Sequence, residues 1–354
     1  MYPKLVVDIR KIRENMAYLA SLCEENGVNY RFLVTKVLAG NKKIVKALMP
    51  GGFTHLADSR IANLKTYRDL PYPKVLLRLP AKSEITATVR YSDISLNSEI
   101  STIKLLNRAA RKQNKKHQII LMFDLGDLRE GIFFQTDYLS VVKEIISLPN
   151  IELTGIGTNL TCYGGIIPTV EHYRRLLEIK AKIEKTFGFS VPLISGGNSS
   201  TVPLLLQKQL PEGINNLRLG EAVFLGRETA YGHPIPQMHQ NAFNLEAEII
   251  EVQTKPSYPI GEIGLNSFGE KPTFTDSGLM KRAIVALGKQ DIQFDNLLPQ
   301  NPSLKIIGGS SDHLIVDISK TDFRVGDILK FNLNYPGLLQ TMTSPYVKKE
   351  IINY

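Results

Sequence analysis

Through the first two thirds of the chain, short apolar runs alternate with stretches whose apolar residues recur every three or four positions. After KLVVDI near the N-terminus come YRFLVT (30–35), FTHLA (53–57), KVLLRL (74–79) and DISL (93–96), then QIILMF (118–123), ELTGIGT (152–158), PLIS (192–195) and NNLRLG (215–220). Brief runs of this kind, bounded by turn residues, predict strands covered on both faces. Between them NKKIVKALM, DYLSVVKEIISL and TVEHYRRLLEIKAKIEKTF each carry one apolar stripe at helical spacing. The eight strands that follow the N-terminal one, interleaved with helices, predict an α/β fold beginning with an N-terminal (β/α)8 TIM barrel over residues 11–232. A doubly wound open sheet is the alternative, but no Gly-x-Gly-x-x-Gly loop follows the first strand.

From about residue 235 the pattern changes. NLEAEIIEVQT, KRAIVALG, SLKIIGG, HLIVDIS and DILKFNL are strand-like runs separated by Gly, Pro, Asp and Asn. They predict a mostly β C-terminal domain over residues 233–354, joined by the N-terminal strand of residues 1–10.

Composition narrows the classes. The 354 residues are 43% hydrophobic and 22% charged, ordinary values for a globular chain. No apolar stretch approaches a membrane span, and Asp8 and Arg10 stand too early for a secretory signal, so no membrane partner is expected. Cys23 and Cys162 form neither a disulfide framework nor a zinc pattern, and a cytoplasmic setting is expected. The net charge of +9 raises nucleic acid as a partner. Yet the densest basic run, RAARKQNKKH (108–117), suits a helix C-terminus, and the remaining basic residues are scattered without a stacking motif. Nucleic acid is not expected.

In a (β/α)8 barrel the active site lies where strands end and βα loops begin. The polar residues at those ends are Lys36, then Asp124, Asp127 and Arg129, then Thr158 and Asn159, then SGGNSST (195–201), and finally Arg218, Gly220 and Glu221. Glycines and hydroxyls at a helix start, on the loops after strands seven and eight, suit a phosphate. Lysine, unlike arginine, can lose its proton when desolvated and attack a carbonyl. A lysine across a barrel mouth from a phosphate site suits a phosphorylated aldehyde cofactor, for which pyridoxal 5′-phosphate is the candidate.

On these motifs the chain resembles the alanine racemase-like (fold type III) pyridoxal-phosphate enzymes, within them the alanine/ornithine racemase branch. VTKVLAGN resembles the cofactor-lysine strand, which implies Lys36 as the cofactor lysine. DLGDLREGIF implies Arg129 beside the substrate carboxylate. SGGNSS implies Asn198 and Ser199 at the phosphate, and LRLGEA implies Arg218 at the pyridine nitrogen, with Gly220 and Glu221 supplying backbone amides. IIGGSSDHLIVDI and LNYPG imply an active-site Asp312 and a phosphate-binding Tyr335.

Three departures stand out. Gly40 replaces a tyrosine, Asn159 a ring-stacking histidine, and Lys289 the second catalytic base. The second base is open among Lys289, Asp291, Asp312 and Cys162. The resemblance implies an amino-acid racemase (an isomerase) interconverting L- and D-forms of ornithine or another basic or broad substrate including alanine. It also implies a homodimer with shared active sites. Asp127, Glu130 or Glu221 could meet a distal ammonium. A D-threonine aldolase-like lyase, which would need a metal, and a non-catalytic pyridoxal-phosphate carrier are the alternatives. Asp312-His313 is the only adjacent Asp-His pair and a weak metal signal, so no metal is expected.

Overall fold

A computed structural model describes residues 1–49, 51–266 and 268–353. Tyr354, the last residue of the expected β domain, lies outside them. The chain divides into two compact units, Arg10–Gln240 on one side and Met1–Ile9 with Asn241–Tyr354 on the other.

In chain order come β1 (Lys4–Asp8), α1 (Ile9–Glu25), β2 (Tyr30–Val34), α2 (Lys42–Leu48), β3 (His55–Asp58), α3 (Ile61–Thr66), β4 (Lys74–Leu76), α4 (Ile85–Tyr91), β5 (Ile94–Asn97) and α5 (Ile100–Lys112). There follow β6 (His117–Asp124), β7 (Ile132–Phe133), α6 (Tyr138–Ile146), β8 (Ile151–Thr158), α7 (Val170–Phe187), β9 (Leu193–Ser195), α8 (Val202–Leu206), β10 (Asn216–Leu219) and α9 (Glu221–Leu225). Strands β5, β4, β3, β2, β10, β9, β8 and β6 pair in parallel in that order, and β5 pairs with β6 to close an eight-stranded barrel. The short β7 is added alongside β6.

The two-faced burial read from QIILMF has a simple cause. Ile119, Leu121 and Phe123 face the helical layer, where they pack with Ile103, Leu106 and Val142. Ile120 and Met122 face the barrel interior with Phe32, Val75, Leu96 and Leu193. Every side chain from Ile119 to Phe123 is thus removed from water, each large one contributing about 1.5–3 kcal/mol. Because the strands are parallel, all eight deliver their loops to one rim.

Residues 226–240 stay with the barrel. Ile235 N donates to Gly226 O at 2.8 Å. The buried Asn15 side chain of α1 accepts from His239 N at 2.8 Å and donates to Val223 O at 3.0 Å.

The second unit is built on β11 (Phe243–Pro256), β12 (Leu279–Val285), β13 (Leu297–Pro299), β14 (Lys305–Gly309), β15 (Leu314–Asp317), β16 (Ile328–Leu333), α10 (Tyr335–Thr343) and β17 (Lys348–Ile352). Its antiparallel order is β13-β16-β11-β12-β15-β14, and β1 lies between β11 and β17. On β11 Phe243, Leu245, Ala247 and Ile249 are buried while Asn244, Glu246 and Glu248 are partly exposed, the alternation of a sheet with one wet face. Among the described residues no helix is long and apolar enough to cross a membrane.

Candidate active site

Lys36 does not end a strand. β2 stops at Val34, Thr35 turns out of it, and Lys36 opens a single 3-10 turn, Lys36–Leu38. Lys36 is exposed, while Thr35 is fully buried and fixed. Thr35 N donates to Ala57 O at 2.7 Å, and its hydroxyl donates to Asp58 Oδ2 at 3.0 Å. Asp58 also accepts from Arg60 N at 2.9 Å and Asn63 Nδ2 at 3.1 Å. Burial pushes the Asp58 carboxyl above its ordinary range. Sequence reasoning missed this anchor. Its signal was an aspartate directly after the apolar HLA of β3.

Arg218 stands opposite Phe32 in the parallel register of β10 and β2, so it shares the interior face of Phe32. It is 4% exposed. Its guanidinium donates to Ser195 Oγ, to Thr158 O at 2.8 Å and to Asn159 Oδ1 at 3.3 Å. Ser195 in turn donates to Asn216 Oδ1. Gly157 on β8 makes room for this network: a Cβ there would lie 2.8 Å from Ser195 Cβ. Burial lowers the Arg218 guanidinium to about 10, which still leaves it charged at neutral pH. It makes no hydrogen bond to Glu221.

Asn159 Oδ1 also accepts from Asn198 Nδ2 at 3.1 Å, and Asn198 Nδ2 donates to Leu160 O at 2.9 Å with Cys162 Sγ at 3.5 Å. Asn198 Oδ1 caps the following turn through Ser200 N at 2.8 Å. Ser199 Oγ accepts from Ala222 N at 3.1 Å, tying the loop after β9 to the start of α9. Gly220 precedes that helix, packed so closely on β2 that a Cβ would sit 3.0 Å from Val34 Cβ. Glu221 is its first residue, and burial pushes its carboxyl up to about 7 against the pull of nearby Lys36 and Arg227. Among the described residues, Asn159 Nδ2, Thr158 Oγ1 and Ser200 Oγ are buried without a hydrogen-bond partner.

The loop after β6 brings Arg129 to the same rim. Asp124 Oδ1 accepts from Gly126 N at 2.9 Å and Leu128 N at 3.1 Å, which fixes the start of this loop. Asp127, 1% exposed, accepts from the backbone amides of Cys162 (3.2 Å), Tyr163 (2.9 Å) and Ile166 (3.3 Å). It is a structural clamp on the loop after β8 rather than a carboxylate facing solvent. Glu130 is engaged with Arg129.

The remaining expected residues belong to the β unit. Lys289 N and Gln290 N donate to Ser310 O and Ser311 O, both at 3.0 Å, tying the loop after β12 to the turn that holds Asp312. Lys289 Nζ lies 3.9 Å from the centre of the Phe268 ring and 3.7 Å from Glu270 Oε2. Asp312 is exposed; hydrogen bonds from Ser310 and His313 hold its carboxyl below the ordinary range. Asp291 is buried and accepts from Ser344 Oγ at 2.7 Å. Tyr335 opens α10, where Asn334 caps Gly337 N at 3.0 Å and donates to Asn296 Oδ1 at 2.9 Å. Among the described residues no three His, Cys, Asp or Glu side chains gather as metal ligands.

Comparison with known proteins bears on this arrangement. Residues 7–228 match the family model of the alanine racemase N-terminal domain. The chain belongs to the alanine racemase family. It is 49% identical to the ornithine racemase of Acetoanaerobium sticklandii over 354 aligned residues, which cover 99% of this chain and 100% of that one. Identity to the lysine racemase of Thermotoga maritima is 40% over 352 residues, covering 99% and 98%. The solved alanine racemase of Clostridium difficile 630 superposes with a TM-score of 0.75 at 17% identity, covering 99% of this chain and 96% of that one, and so shares the fold.

Proposed function

We propose that this protein is a pyridoxal 5′-phosphate-dependent racemase of basic amino acids, ornithine or lysine foremost. The observation that carries the reading is full-length identity of 49% and 40% to an ornithine and a lysine racemase. Family membership supports the cofactor, and the barrel rim is chemically suited to it. The buried Asn159 Nδ2 and Ser200 Oγ await partners, and α9 starts at the loop where a phosphate would meet backbone amides.

Bound there, pyridoxal phosphate supplies an electron sink that acidifies the substrate α-C–H bond. Lys36 would hold the cofactor and would move a proton at the substrate α-carbon on one face. Ser199, Asn198, the amides of Gly220 and Glu221, and Tyr335 would hold the phosphate, and Asn159 would serve the cofactor beside them. Arg218 would donate to the cofactor's ring nitrogen without surrendering its proton, since arginine stays charged in proteins. Arg129 receives the substrate carboxylate. Asp127 and Glu130 have other partners, which leaves Glu221 to meet a distal ammonium. On the opposite face Lys289 serves as the second proton-transfer group, with Asp312 beside it, from the β domain of a second copy in a homodimer.

Borohydride reduction of the purified protein followed by peptide mass mapping tests the reading. A phosphopyridoxyl adduct on Lys36, together with racemisation of ornithine or lysine, is expected. An adduct on another lysine would overturn the site. Aldehyde release without racemisation, abolished by a chelator, would favour the lyase, and absence of any α-proton exchange would favour the carrier.

A further inference from the structure

The loop between β6 and β7 is held more firmly than a connection requires. Asp124 at its start accepts from the amides of Gly126 and Leu128, and Asp127 within it accepts from the amides of Cys162 and Tyr163, pinning it to the loop after β8. Gly131, at φ +128°, lies so close to the end of β6 that a Cβ would come within 2.4 Å of Asp124 N. The product of this scaffold is a pair of consecutive charged side chains folded onto each other. Arg129 donates through Nε and Nη2 to the two oxygens of Glu130, with Nη2–Oε1 at 2.6 Å. The Glu130 side chain is 16% exposed and that of Arg129 44%, so the carboxylate is the inner member and the guanidinium the outer one. A planar guanidinium gripped on two nitrogens has its orientation set, which a single contact would not achieve.

Glu130 serves a second cation. The buried Arg218 gives its hydrogen bonds to neutral acceptors, Ser195 Oγ, Thr158 O and Asn159 Oδ1. The opposing charge that acts on it most strongly is Glu130. Glu130 is thus shared between two guanidiniums, that of Arg129 through direct hydrogen bonds and that of Arg218 through its charge.

We infer that Glu130 is the positioning residue for the substrate's α-carboxylate: it fixes the Arg129 guanidinium, leaves its Nη1 for the incoming carboxylate, and balances the paired charges of Arg129 and Arg218. The inference rests on the racemase reading, in which Arg129 receives that carboxylate. It assigns Glu130 to arginine rather than to the distal ammonium of a basic substrate.

The test compares Glu130→Gln and Glu130→Asp with the wild-type holoenzyme. In Glu130→Gln, KM for the amino acid rises about tenfold, as for loss of one charge-assisted contact, while kcat changes by less than about threefold. Glu130→Asp, which keeps the charge, recovers most of the loss. Labelling with phenylglyoxal, mapped by mass spectrometry, needs no turnover. Adducts at Arg129 form several-fold faster in Glu130→Gln, with exposed Arg60 as the unchanged control. Equal Arg129 labelling in the two proteins, or a fall in kcat with KM unchanged, would overturn the inference. A wild-type enzyme that racemises nothing overturns the reading beneath it, and labelling then still decides whether Glu130 clamps Arg129.

Discussion

Glu221→Gln keeps the shape of the side chain and removes its titration. Burial raises this carboxyl from 4.5 in the unfolded chain to about 7 in the folded one. A folded state that binds a proton more tightly than the unfolded chain is stabilised wherever that proton is bound. The contribution is therefore complete below pH 4.5, fades as pH rises, and is gone above about 7. Each pH unit is worth about 1.4 kcal/mol, so the whole rise corresponds to about 3 kcal/mol. Solvent around a half-buried group reduces that to about 2 kcal/mol. Urea unfolding of both proteins at pH 4.5 and pH 8, followed by circular dichroism, reads the difference directly. The stability of the variant relative to wild type should increase by about 2 kcal/mol from the acidic to the alkaline condition. Parallel behaviour within about 0.5 kcal/mol at both pH values would refute the reasoning, because it would mean that the carboxyl is no drier folded than unfolded.

Other consequences are as accessible. His117, buried against Ser95, is lowered by burial from 6.5 to about 4; its stability contribution is present above pH 6.5 and lost as pH falls toward 4, and its NMR titration midpoint should lie near 4, a midpoint near 6.5 contradicting this. Asp127→Ala strips an acceptor from three backbone amides, which should cost about 3 kcal/mol and open residues 161–166 to limited proteolysis, whereas an unchanged cleavage pattern would show the clamp to be dispensable. Lys289→Met should lower kcat at least about 100-fold with the Lys36 adduct intact; if Cys162→Ser produces that loss instead, the thiol is the second proton-transfer group.

The sequence by itself determined the architecture. Runs apolar on both faces require a layer of helices outside and packed side chains within, and eight of them alternating with amphipathic helices close into a barrel. The alternation along Phe243–Ile249 likewise announced a sheet with one wet face. The neighbourhood of the rim was legible too, since polar residues cluster where apolar runs stop: Lys36 stands just past β2 and Arg129 in the loop after β6, whereas Arg218 lies within β10, and their roles were supplied by family resemblance. What the sequence did not determine was which polar groups pair. Asp124, Asp127, Glu130 and Glu221 are four carboxylates of similar local context. Yet two bind backbone amides, one grips an arginine, and one is half-buried and held near neutrality. Asp58 reaches Thr35 across 23 residues, and Asn198 reaches Asn159 across 39. Such choices are made when distant loops are brought within hydrogen-bonding distance in a medium that penalises every unsatisfied polar group. Local patterns of hydrophobicity carry no record of that competition, so only the tertiary structure decided it.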